Sequence, residues 1–88
     1  MTKQVEMIRV TEVEPLGGFV LRLRFNDDTE RVVDLEDELW GPVFEPLKED
    51  PELFRAVRLE GESIAWPNEA DLAPEFLHSA GRLVAPSR

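Results

Sequence analysis

Eighty-eight residues, 42% of them hydrophobic and 33% charged, suit a single domain with a modest core and do not fit a disordered chain. The absence of cysteine excludes disulfides, thiolate zinc sites and a cysteine nucleophile, and it fits a reducing cytosol. A net charge of −9 disfavours direct binding to nucleic acid, whose phosphates require a concentrated basic surface.

The first ten residues, MTKQVEMIRV, lack the apolar core and small-residue cleavage site of a signal peptide. No apolar run approaches the roughly 20 residues that span a bilayer. The expectation is therefore one cytoplasmic domain over residues 1–88, with its core at about 5–80 and a frayed tail at 82–88.

Val5 to Glu14 reads as a first strand. Ile8 and Val10 are in phase and Val13 is not, which predicts a bulge or a strand end near Thr11. Pro15 and the pair Gly17-Gly18 then signal a turn. From Phe19 to Leu35 the sequence FVLRLRFNDDTERVVDL reads as a β-hairpin around which the domain is built. Phe19, Leu21, Leu23 and Phe25 share one side of the first run, and Arg31, Val33 and Leu35 share one side of the second. The two sets meet on one face only if Phe25 opposes Thr29 and Asn26-Asp27-Asp28 forms the loop. A slip of one residue would split the apolar face. In this register Arg24 faces Glu30, and Asp28 occupies the loop position that takes a left-handed backbone.

Beyond Leu35 the period changes. Asp34 is placed to cap a short turn through Leu35 to Leu39. Pro42 and Pro46 forbid a long helix, so one or two helical turns are expected, with Val43, Phe44 and Leu47 facing the sheet. Asp50-Pro51-Glu52 reads as a helix start, with Leu53 and Phe54 as anchors. Val57 and Leu59, the turn Gly61-Glu62, and the inward Ile64 and Trp66 predict a second hairpin. Asp71 to Ala80 reads as a turn and a last helix that Gly81 stops. The fold class is α+β: a three-stranded antiparallel meander, short helices, a second hairpin and a C-terminal helix.

The charge is unevenly placed. Between Asn26 and Glu52 stand eleven acidic residues and two basic ones, and the rest of the chain is balanced. Two readings remain open, a solvated face that aids solubility and an interaction surface for a basic partner.

The remaining residues offer little chemistry. His78 is the sole histidine, short of a metal set, and reads as structural. Ser63, Ser79 and Ser87 lie outside any strand–turn–helix elbow. The carboxylate runs 34–38 and 49–52 lack the spacing of a calcium loop and are explained by capping. No lysine or helix start follows Gly17-Gly18, so this pair is a turn rather than a phosphate cradle. Arg22 and Arg24 share a strand face and are expected to pair with Glu30 and Asp34. Trp40 and Trp66 favour core packing, with a half-exposed anchor for a partner as the alternative. Neither a cofactor nor a metal is implied, and the expectation is not an enzyme.

Taken in order, several stretches resemble DUF2442, a bacterial family of unknown function. They are Val10 to Pro15, Phe25-Asn26-Asp27-Asp28, Gly41 to Leu47, Leu53-Phe54 and, most distinctive, Ser63 to Glu75. The resemblance spans about residues 5–79 and departs from the usual pattern at two glycines, where Asp28 and Glu69 stand. It implies a small α+β domain and no established catalytic residues. Relatives resemble the partners of another small family, DUF4160, in arrangements that look like toxin–antitoxin pairs, and some carry an added helix-turn-helix domain.

The leading functional expectation is a small acidic protein-interaction module, the antitoxin-like half of such a pair. Its partner would be a small basic protein of the DUF4160 kind, held by Asp34, Glu36, Asp37, Glu38, Trp40, Glu45, Glu49 and Trp66. The alternative is a subunit of a DNA-binding transcriptional regulator that acts through a partner or an oligomer, with Val5 to Val10 as its free edge.

Overall fold

The longest apolar alternation in the chain becomes the centre of its main sheet. The computed structural model describes residues 7–84. It places Leu21, Leu23 and Phe25 of strand β2 (Val20–Phe25) wholly inside, with the intervening residues half-exposed. Strand β3 (Glu30–Asp34) pairs with β2 in the expected register, Leu23 opposite Arg31 and Arg24 opposite Glu30. The loop closes through Phe25 N–H to the Thr29 carbonyl at 2.9 Å and Asp28 N–H to the Phe25 carbonyl at 3.0 Å. Asp28 has φ 68°, the left-handed value that this loop demands.

Strand β1 (Val10–Gly17) lies antiparallel to β2, and the expected phase break is a bulge. Val10 opposes Phe25 and Glu12 opposes Arg24, so Thr11 is the extra residue. Its hydroxyl donates to the Arg24 carbonyl at 3.1 Å. The bulge re-phases the strand, so that Val10 and Val13 both reach the core. The strand begins later than Val5 and ends later than Glu14; Val5 itself lies outside the described residues. Pro15 is carried inside it because β1 is an edge strand, where a missing N–H is tolerated. The turn to β2 is therefore Gly18-Phe19, with Gly17 and Gly18 both at positive φ. Phe19 leaves the strand but still accepts from the Leu35 amide at 2.8 Å and packs edge-on against Phe54.

A 3₁₀ turn (Glu36–Glu38) follows, then helix α1 (Glu45–Glu49) and helix α2 (Pro51–Arg55). The Asp50 carboxylate accepts from the Glu52 and Leu53 amides, as a cap ahead of Pro51 should. Leu47 and Phe54 are the buried anchors of the two helices, and Phe44 and Leu53 pack half-buried beside them. Val43 does not face the sheet: it is 49% exposed, in the turn that precedes α1.

The second hairpin, β4 (Arg58–Glu60) and β5 (Ser63–Ala65), gains a third strand, β6 (Asp71–Leu72), where a turn was expected. The connection repeats the geometry of the first loop. Trp66 N–H donates to the Ala70 carbonyl and Glu69 N–H to the Trp66 carbonyl, both at 2.9 Å, and Glu69 has φ 73°. Among the described residues Asp28 and Glu69 are the non-glycine positions with positive φ. They are also the two places where the chain departs from the glycines of the pattern it resembles. Leu59 faces Ile64 across the ladder yet stays 43% exposed, because β4 is the outer strand of this sheet.

Helix α3 (Pro74–Ala80) ends at Gly81, which is extended (φ −74°, ψ 147°) rather than left-handed. Glycine is needed there for space, since a Cβ would sit 2.9 Å from Arg31 Cβ and 3.0 Å from the Leu77 carbonyl. The chain then forms strand β7 (Arg82–Leu83) on the open edge of β3, completing a four-stranded sheet of order β1-β2-β3-β7. The expected three-stranded meander β1–β2–β3 thus gains a fourth strand, at Arg82 and Leu83 of the segment expected to fray. An unpaired edge offers backbone partners, and Gly81 lets the chain pass close enough to reach them. Between the sheets Trp66, Phe54, Phe25, Leu35, Leu39, Leu47 and Leu77 form one continuous core.

Candidate functional site

From Asp34 onward the chain alternates between residues that anchor it and residues that it leaves in water. The Asp34 carboxylate accepts from the Glu36 amide at 3.0 Å and so launches the 3₁₀ turn. Leu35 and Leu39 are buried on either side of it, which strands Glu36, Asp37 and Glu38 in solvent between two fixed points. Trp40 follows an inward leucine in non-helical backbone and turns outward, at 72% exposure. Gly41, at φ 93°, and Pro42 then reverse the chain, and the Gly41 carbonyl accepts from the Phe44 and Glu45 amides. Glu45 and Glu49 both lie exposed on α1, one turn apart and flanking the buried Leu47.

The structure thus keeps Asp34, Glu36, Asp37, Glu38, Glu45 and Glu49 accessible beside an exposed tryptophan. None of these carboxylates enters an ion pair among the described residues. The core placement expected for Trp40 is corrected, because only Leu39 and Phe44 of its segment reach the interior. For Trp66 the expected core packing holds and its place among the partner-binding residues is corrected: it is 0% exposed, shares the inner face with Ile64, and donates its indole N–H to the Phe54 carbonyl at 2.9 Å. A partner cannot touch it. Val43 and Pro42 join the surface unforeseen, since a proline-bearing turn carries no period from which exposure can be read.

The outer face of the main sheet does not form a second site. Arg22 reaches Glu14 at 2.8 Å and Glu30 at 3.2 Å, and Arg24 approaches Glu30 at 3.6 Å and Glu12 at 3.9 Å. The hydrogen bond that Arg22 donates to Glu14 is the largest influence on its guanidinium and raises its pKa against the opposing pull of burial. Glu12 and Glu14 take the pairing role expected of Asp34, whose carboxylate is engaged in its own turn.

His78 is half-buried, edge-on to Phe25, with Nε2 2.8 Å from Asp27 Oδ2. Burial alone would raise the Asp27 pKa. Hydrogen bonds from the Thr29 hydroxyl (2.6 Å) and amide (3.1 Å), together with His78, outweigh burial and hold it at about 2. This cluster pins the hairpin loop to α3. Among the described residues no three His, Cys, Asp or Glu side chains converge as a metal site, and no helix is long and apolar enough to cross a membrane.

A groove of about 740 Å³ opens over the outer face of the β4–β5–β6 sheet, between Arg58 and Glu60 on one side and Glu69 and Asp71 on the other. Nearly all of its lining belongs to the stretch from Ser63 to Pro74. Asn68, in the turn at its rim, donates to the Val43 carbonyl at 3.0 Å and so joins the groove to the Trp40–Val43 surface.

No curated protein and no solved structure shows significant similarity to the chain. A family model described as a protein of unknown function (DUF2442) matches residues 10–81, from the first core valine to the glycine that ends α3, and the chain belongs to that family.

Proposed function

We propose that this chain is a protein-binding module in which the stretch from Asp34 to Glu52 docks a basic partner, with Trp40 as the apolar anchor. The observation that carries the reading is the 72% exposure of Trp40 beside carboxylates that lack ion-pair partners among the described residues. A tryptophan left in water forgoes burial that a small domain can use. Tryptophan is also the residue most enriched among those that dominate binding once a partner covers them. The flanking carboxylates supply orientation and association rate more than affinity. The finer form of the proposal is the antitoxin-like half of a pair, acting in the cytoplasm by covering the working surface of a small basic protein of the DUF4160 kind. The sign of the charge, the cysteine-free composition and the resemblance in motif order support it.

The test is a pull-down of the tagged full chain from its own cells, washed at low and then high salt. One small basic protein should be retained at low salt and released at high salt. Trp40→Ala should weaken that complex by at least 2 kcal/mol, roughly thirtyfold, and Glu36→Lys/Asp37→Lys/Glu38→Lys should abolish it, with folding intact in both. Unchanged affinity in both variants would refute the reading.

A further inference from the structure

Strand alternation puts Arg58, Glu60, Ser63, Ala65 and Asp71 on the outer face of the second sheet, because Ala65 opposes both Arg58 and Asp71 and Ser63 opposes Glu60. The groove lies over this face. Its apolar lining includes Ala65, 6% exposed, with Ala73 and Pro74, alongside Ile64, Trp66 and Leu72. The Arg58 guanidinium is held by Glu60 at 3.0 Å. Glu69 and Asp71 are exposed and lack ion-pair partners among the described residues, so the unbalanced charge at the rim is negative.

Glu69 stands in the turn beside the groove. The turn that it closes needs a left-handed residue, a conformation glycine adopts freely and glutamate adopts only under strain. A carboxylate is thus carried over the groove at a position whose backbone disfavours it.

We propose that this groove receives a lysine or arginine side chain of the partner. Its methylene stem would lie along Ala65, Ala73 and Pro74, and its cationic head would meet Glu69 and Asp71. The inference rests on the acidic-surface reading above and extends it, since Asn68 bonds the groove rim to Val43 and makes the two surfaces continuous. Apolar lining beside an acidic rim suits the long stem of a basic residue, which gains burial while its charge stays at the rim. Charge complementarity selects the basic occupant over an acidic one.

The experiment titrates the ¹⁵N-labelled full chain with a short peptide alternating lysine and alanine, and with its glutamate counterpart as control. The lysine peptide should shift the amides of Ser63, Ala65, Asp71 and Ala73, and the control should not. Glu69→Gln/Asp71→Asn, with its folded spectrum retained, should bind about fivefold more weakly. Glu36→Gln/Asp37→Asn/Glu38→Gln should keep the groove shifts. Shifts confined to residues 34–52 and indifferent to the groove variant would overturn the groove proposal while leaving the acidic-surface reading in place. No shift anywhere would overturn both.

Discussion

Replacing Glu69 with glycine separates backbone strain from side-chain chemistry at the turn between β5 and β6. Glu69 holds φ 73°, and its side chain is exposed, with no hydrogen bond or ion pair among the described residues. An L-residue in the left-handed region costs about 1–2 kcal/mol. Glycine removes that strain but adds about 0.5–1 kcal/mol of conformational entropy to the unfolded chain. The balance is a stabilisation of about 0.5–1 kcal/mol. For a domain of this size that corresponds to a rise in Tm of about 2–8 °C. Differential scanning calorimetry at neutral pH measures it, with urea unfolding as a second readout. Glu69→Ala is the internal control: it removes the same carboxylate, keeps the strain, and should leave Tm near that of the parent. Asp28→Gly should stabilise less, because aspartate tolerates the left-handed region better than glutamate does. An unchanged or lowered Tm in Glu69→Gly would refute the strain argument. Equal gains in the glycine and alanine variants would assign the effect to charge.

Three further outcomes follow from the packing. Gly81→Ala places a methyl group 2.9 Å from Arg31 Cβ and 3.0 Å from a backbone carbonyl, so it should destabilise by about 1–3 kcal/mol, and chemical denaturation that finds it neutral would contradict the close approach. Trp66→Leu removes a fully buried indole and the hydrogen bond that it donates to the Phe54 carbonyl, which predicts a loss of about 3–5 kcal/mol, whereas Trp40→Leu should stay within about 0.5 kcal/mol. In the matching single-tryptophan proteins, acrylamide should quench Trp40 strongly and Trp66 weakly. The Asp27 carboxyl, lowered from 3.8 to about 2, stabilises the fold at pH above its unfolded value, and that contribution is lost as pH falls from about 4 to about 2. With the group partly exposed, the contribution is about 1–2 kcal/mol. The urea midpoint of the parent should therefore fall more steeply than that of Asp27→Asn across this window, and parallel curves would refute the assignment.

The candidate site was half legible. The acids could be located because capping and charge leave local signals: Asp34 and Asp50 sit two or three residues ahead of the amides that they accept from. The two tryptophans could not be told apart, because each stands beside a proline-bearing turn and the local pattern is alike. Burial decided between them. Trp66 falls two residues after Ile64, just past the end of β5 and against Phe54, while Trp40 falls directly after a leucine that takes the interior position.

By itself the sequence determined the parts whose causes are short in range. These are the hairpin register from Phe25 to Thr29, the left-handed Asp28, the phase break near Thr11 and the capped start of α2, since alternation, turn chemistry and capping all act within a few residues. Only the tertiary structure decided the strands of two residues, β6 and β7, which are too short to carry a period and exist because an open edge lies within reach. It also decided why Gly81 must be glycine and which tryptophan meets solvent. Those outcomes depend on contacts between residues far apart in the chain, Arg31 with Gly81 and Phe54 with Trp66, which no local pattern records.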